Sequence, residues 1–198
     1  MQKIELKSSK REVIGKKATK ELRKEGKVPG VLYGGKEVAH FVIEEKQLKG
    51  LVYTPNVYII SLDIDGEKVE AILQDIQYHP VSDKIQHVDF LQIFEDKPVI
   101  IEIPVKLNGF AEGVRAGGQL SLVQRKLRVK ALPANLPDTL NINIDHLKLG
   151  DSVKVGALAF ENLELLNAKN SVVAAVKLTR AARAAQTPGG EEAEAAEE

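Results

Sequence analysis

His87 and Asp89 stand two residues apart in the stretch Ile85-Gln86-His87-Val88-Asp89-Phe90-Leu91, whose alternation fits a β-strand. Strand side chains point to opposite faces in turn. Val88 and Phe90 can therefore enter a core, while Ile85, His87, Asp89 and Leu91 share the other face. A neutral imidazole donates and accepts hydrogen bonds and a carboxylate accepts them, so the pair suits reading nucleobase edges. The same residue types serve other chemistries. Joined by His79 they begin a metal site, but such sites need three or four ligands and the chain has no cysteine to add. A hydrolytic site would need a nucleophile and oxyanion donors, which nothing nearby supplies. A plain structural hydrogen bond between two polar groups is the remaining reading.

Cations supply the second constellation. The chain is neutral by formal count, yet residues 1–36 hold eleven Lys and Arg against four Glu, a net +7. On a helix over Gly15–Glu25, at about 100° per residue, Lys16, Lys20 and Arg23 fall on one stripe with Lys17 and Lys24 beside it. Ala18 and Leu22 lie opposite, a narrow apolar strip able to dock on a sheet. Such a row matches successive phosphates, whose contacts supply affinity and register while base contacts supply selectivity. Lys7, Lys10 and Arg11 extend the patch upstream. A solvated Lys-rich face is the competing account. The remaining charge is segregated too: residues 51–100 carry three bases against nine acids, and 191–198 hold five Glu and no base. That asymmetry points to an oriented surface.

Tyr33 closes Val28-Pro29-Gly30-Val31-Leu32-Tyr33-Gly34-Gly35-Lys36, placed either to stack on a base or to sit at the edge of a core. Gly34-Gly35 lacks the spacing and following helix of a phosphate-binding loop; a tight turn after a strand accounts for it.

These residues need a β framework, and the sequence predicts one. From Val28 to Ile93 the chain reads as strands, including 41–43, 57–64 and 69–77. Asp65-Gly66 marks a hairpin between the last two. Short helices are expected at 15–25 and 45–52, the latter stopped by Thr54-Pro55-Asn56. Glu95-Asp96-Lys97-Pro98 marks a boundary between residues 1–94 and a second, mainly β domain over 98–179, with strands at 99–107, 119–123, 127–131 and 172–178. The Ala- and Glu-rich stretch 180–198 has little to bury and is expected to be disordered. There is no disulfide framework, no apolar run of the ~18 residues that span a bilayer, and no apolar signal region at the N-terminus. The expectation is a soluble cytoplasmic protein that is not an enzyme and has no metal or cofactor.

Several strings occur together in order: Gly15-Lys16-Lys17-Ala18 with Leu22-Arg23; Val28-Pro29-Gly30 with Tyr33-Gly34-Gly35-Lys36; Gln74-Asp75-Ile76-Gln77-Tyr78-His79-Pro80; and Gln86-His87-Val88-Asp89-Phe90. Across residues 1–93 they resemble the bacterial ribosomal protein L25 family in its long two-domain form, the general stress protein CTC group. The resemblance implies an N-terminal six-stranded β-barrel with short helices, followed by an all-β C-terminal domain. It implies a structural constituent of the large ribosomal subunit, bound to the loop E region of 5S rRNA. It also implies contact with large-subunit proteins and other rRNA, no membrane, and a monomer off the ribosome. Carried onto this sequence, Arg11, Lys16, Lys20, Arg23, Tyr33, Gln74, His87 and Asp89 match RNA-contacting positions. Lys20 stands where the family often has Arg, which replaces a planar fork with a point charge. Tyr78 stands where short members often have a basic residue.

The C-terminal half has its own basic group: Arg115, Arg125, Lys126, Arg128 and Lys130. Alternation puts Lys126, Arg128 and Lys130 opposite Leu127 and Val129. The alternative function is a stress-related ribosome-interaction module that works mainly through this half.

Overall fold

A computed structural model describes residues 2–35 and 37–179. Six strands close into a barrel: β1 (Gln2–Lys10), β2 (Lys27–Tyr33), β3 (Ala39–Glu44), β4 (Tyr58–Ile64), β5 (Glu67–Tyr78) and β6 (Ile85–Gln92), in the order β1-β3-β2-β6-β5-β4. The β1–β4 and β2–β6 pairings are parallel and the other four are antiparallel. Closure leaves no open sheet edge. Helix α1 (Lys16–Lys24) lies between β1 and β2, and α2 (Glu45–Val52) between β3 and β4.

Alternation fills the interior. Leu6, Val28, Phe41, Ile60, Leu62, Val88 and Phe90 are buried, and the rings of Phe41 and Phe90 stack with centroids 5.6 Å apart. Burying such side chains stabilises the fold by roughly 1.5–3 kcal/mol each. Gly30 lies between these rings' strands, paired with Phe41 on one side and Val88 on the other. A Cβ there would collide with the Phe41 ring and Val88 Cγ2, so the close approach requires glycine. At the β4–β5 hairpin Asp65 and Gly66 both take positive φ, 51° and 99°, the geometry of the expected primed turn. Asp65 Oδ2 also accepts from the Lys10 amide at 3.0 Å.

Strand β1 was absent from the sequence-based expectation. Its charges hide the pattern, because Ile4 and Leu6 turn inward while Lys3, Glu5 and Lys7 lie outside. The upstream lysines Lys7 and Lys10 thus belong to a barrel strand.

Beyond the barrel the chain adds β7 (Val99–Asn108), α3 (Glu112–Arg115), β8 (Gln119–Leu122), β9 (Lys126–Ala131), β10 (Leu140–Asn143), β11 (Ser152–Lys154), β12 (Glu164–Leu165) and β13 (Val172–Lys177). They form two sheets, β10-β7-β9-β12 and β11-β13-β8. In β9 Leu127 and Val129 are fully buried and Lys126 and Arg128 face outward, as alternation predicts. The short strands β10, β11 and β12 were not foreseen, since two to four residues carry too little periodicity to detect. By compactness the chain divides into 1–104 with 129–138, and 105–128 with the described remainder from 139. The expected disorder of 180–198 lies outside the described residues.

Candidate nucleic-acid interface

Two bulges shape the outer face of the barrel at β5 and β6. Leu73 pairs with Phe90 and Asp75 with Asp89, leaving Gln74 as an extra residue on β5. Gln77 pairs with His87 and Tyr78 with Ile85, leaving Gln86 extra on β6. Each bulge shifts the in–out phase by one residue. On β5, Leu73 and Ile76 pack against the core, so Asp75 and Gln77 face outward. On β6, Ile85, Val88 and Phe90 are buried, which turns His87 and Asp89 out together. Ile85 was expected on the His87 face; the Gln86 bulge places it in the core instead.

The register therefore assembles a polar cluster from three strands. His87 and Asp89 are cross-strand partners of Gln77 and Asp75, and Val31 of β2 pairs with Asp89. Two residues along β2, Tyr33 ends the strand half-buried. His87 Nδ1 and Asp89 Oδ1 are 2.7 Å apart. Both atoms are shielded from solvent and make no hydrogen bond among the described residues. The Tyr33 phenol is held above its ordinary pKa, first by burial and then by the charges of Asp89 and Asp75. It stays a neutral O–H donor beside two carboxylate acceptors. Two acids facing each other repel phosphate, so the partners that suit this cluster are amino and imino groups of base edges.

Beside it stands the cationic helix. No residue of α1 is fully buried; Ala18, Thr19 and Leu22 are partly covered, while Lys16, Lys17, Lys20 and Lys24 are exposed. The expected apolar strip is therefore shallow, and polar contacts supplement it. Arg23 donates from Nε and Nη2 to the Gln86 carbonyl oxygen at 3.1 and 2.9 Å. At the other end Arg11 donates from Nη2 to Thr19 Oγ1 at 2.7 Å and from Nε to the Val13 carbonyl at 2.9 Å. The Thr19 hydroxyl donates to the Gly15 carbonyl at 2.8 Å.

Among the residues singled out from sequence, Tyr33, His87 and Asp89 come together on one face, with Gln74 exposed at the bulge on the adjoining strand. Lys16 and Lys20 project from α1. Arg23 commits two donors to anchoring that helix, and Arg11 commits one to Thr19 within it and one to Val13 ahead of it. Asp75, Gln77 and the carbonyl of Gln86 were missed; only the cross-strand register, which no local pattern encodes, brings them in. His79 is engaged elsewhere: its Nδ1 accepts from the amides of Val81 and Ser82 at 3.2 and 3.3 Å, closing the β5–β6 turn. Among the described residues no three His, Cys, Asp or Glu converge as metal ligands. Gly34-Gly35 forms a turn packed against Leu91 and Gln92 of β6.

Comparison with known proteins agrees over both halves. The model of the ribosomal L25p family matches residues 6–90, and that of the ribosomal protein TL5 C-terminal domain matches 98–180. The large ribosomal subunit protein bL25 of Bacteroides fragilis is 56% identical over 195 residues, covering 96% of this chain and 100% of its own. That of Parabacteroides distasonis is 52% identical over 194 residues, with the same coverage. That of Porphyromonas gingivalis is 50% identical over 187 residues, covering 93% of this chain and 97% of its own.

Proposed function

We propose that this chain, which belongs to the bL25 family of large ribosomal subunit proteins, is a structural component of the large subunit that binds 5S rRNA at its loop E region. The family is ribosomal and not enzymatic, and its place is the cytoplasmic ribosome. The two family models lie on either side of 95–97, which supports taking 1–94 as the rRNA-binding domain and 98–179 as a second β domain.

The observation that carries the reading is the adjacency of two unlike surfaces. Exposed lysines of α1 offer charge to phosphates. The Tyr33, Asp75, His87 and Asp89 cluster offers neutral donors and acidic acceptors that phosphates would avoid. Noncanonically paired RNA presents both backbone and base edges in a wide, shallow groove. Lys16, Lys20 and the free edges of Arg11 and Arg23 hold the backbone; Tyr33, Gln74, His87 and Asp89 read the groove.

Titrating the protein with a loop E fragment and with an ordinary RNA duplex, across a series of salt concentrations, tests this. Both affinities fall steeply with salt, as expected when several phosphates are neutralised. The loop E fragment binds more tightly at every salt concentration. Equal affinities would overturn the proposal.

A further inference from the structure

Val13 and Ile14 are 68% and 67% exposed, adjacent apolar side chains in the most basic part of the molecule. Lys10 and Arg11 precede them and Lys16, Lys17 and Lys20 follow, with Glu12 the one acid in the stretch. The segment is pinned on both sides. The Arg11 amide donates to the His40 carbonyl at 2.9 Å, the Arg11 side chain holds the Val13 carbonyl and Thr19, and Thr19 holds Gly15. Single exposed apolar residues are ordinary on a protein surface. Two together, in a pinned segment flanked in sequence by cations, mark a contact surface.

We propose that Val13 and Ile14 form an apolar wedge that packs on the ribose wall of the RNA groove while the surrounding lysines engage its phosphates. This rests on the RNA-binding reading above. Charge complementarity selects the occupant: an apolar pair with basic residues on both sides of it in the chain suits a polyanion. Between the 2′-hydroxyls and base edges that an RNA groove displays, the ribose C–H faces are its least polar surface. Contact there removes apolar surface from water without adding a charge. The wedge therefore strengthens binding without changing how many counterions are released.

That separation gives the test. The chain carrying Val13→Ser with Ile14→Ser is titrated with the loop E fragment over a salt series, beside wild type and a Val13→Leu, Ile14→Leu variant. The serine variant binds about tenfold more weakly at each salt concentration, a factor of ten being about 1.4 kcal/mol. Its plot of log K against log salt stays parallel to wild type, and the leucine variant retains wild-type affinity. The melting curve checks that the serine variant is folded; both positions are exposed, so it matches wild type. Wild-type affinity in the serine variant overturns the wedge alone and leaves these residues to a protein neighbour. A flattened salt slope also overturns it, because the loss then came through phosphate contacts. A wild-type chain that does not distinguish loop E from duplex removes the underlying reading as well.

Discussion

Arg23 reaches from the last turn of α1 to the main-chain carbonyl of Gln86, with both Nε and Nη2 donating. Gln86 is the extra residue of the β6 bulge, so its carbonyl is available to a side chain. The same irregularity that places Ile85 in the core thus supplies the anchor for the cationic helix. The lysine-bearing helix and the strand that carries His87 and Asp89 are joined through one bulge. With no fully buried residue, the helix depends on this contact together with the Arg11–Thr19 bond and its shallow apolar strip.

Arg23→Lys keeps the charge and removes the planar fork. The expected result is a loss of about 1 kcal/mol in RNA affinity, roughly fivefold, with little change in salt slope. Amide exchange across 16–24 speeds up in the free protein. Unchanged exchange would show that the fork does not position the helix.

His87→Ala and Asp89→Ala are each expected to weaken binding to the loop E fragment by about 1–3 kcal/mol, the range of a specific base contact. Binding to ordinary duplex RNA changes far less. Filter binding or calorimetry on the two RNAs measures the difference. Equal losses on both would mean that the pair does not read bases.

Much of this site was legible in the sequence because its pattern is local. The period-two spacing put Val88 and Phe90 inside and His87 and Asp89 outside, and the structure agrees. The Asp65-Gly66 hairpin and both short helices follow from turn chemistry and helical spacing. Cross-strand partners are not local. Asp75 faces outward only because Gln74 is bulged, and Ile85 is buried only because Gln86 is. Nor does a row of basic residues reveal which members are already occupied: Lys16 and Lys20 project, while Arg11 and Arg23 bind the protein.

Gly30→Ala tests the tight approach inside the barrel. Its Cβ would meet the Phe41 ring and Val88, neither able to retreat within a packed core. Overpacking of this kind costs about 1–3 kcal/mol. Chemical denaturation should show a lower midpoint with an unchanged slope. An unchanged midpoint would mean that the Phe41–Phe90 stack yields without cost.

Tyr33 gives the cluster a signature in pH. Burial is the first cause of its raised pKa, and the charges of Asp89 and Asp75 follow; the ordinary value is 10.0. The folded chain therefore holds the phenolic proton more tightly than the unfolded chain. Below pH 10.0 both states keep it and its contribution to stability is complete. As pH rises from 10.0 through the raised value, the unfolded state loses the proton first and that contribution disappears. Site-resolved NMR of the labelled tyrosine ring should place the Tyr33 titration above 10.0. Asp89→Asn removes one of the two charges, so the titration moves down. Burial persists in that variant, so the value remains above 10.0. A midpoint unmoved by Asp89→Asn would mean that the carboxylate and the phenol do not sense each other, and the three-strand cluster would lose its electrostatic unity.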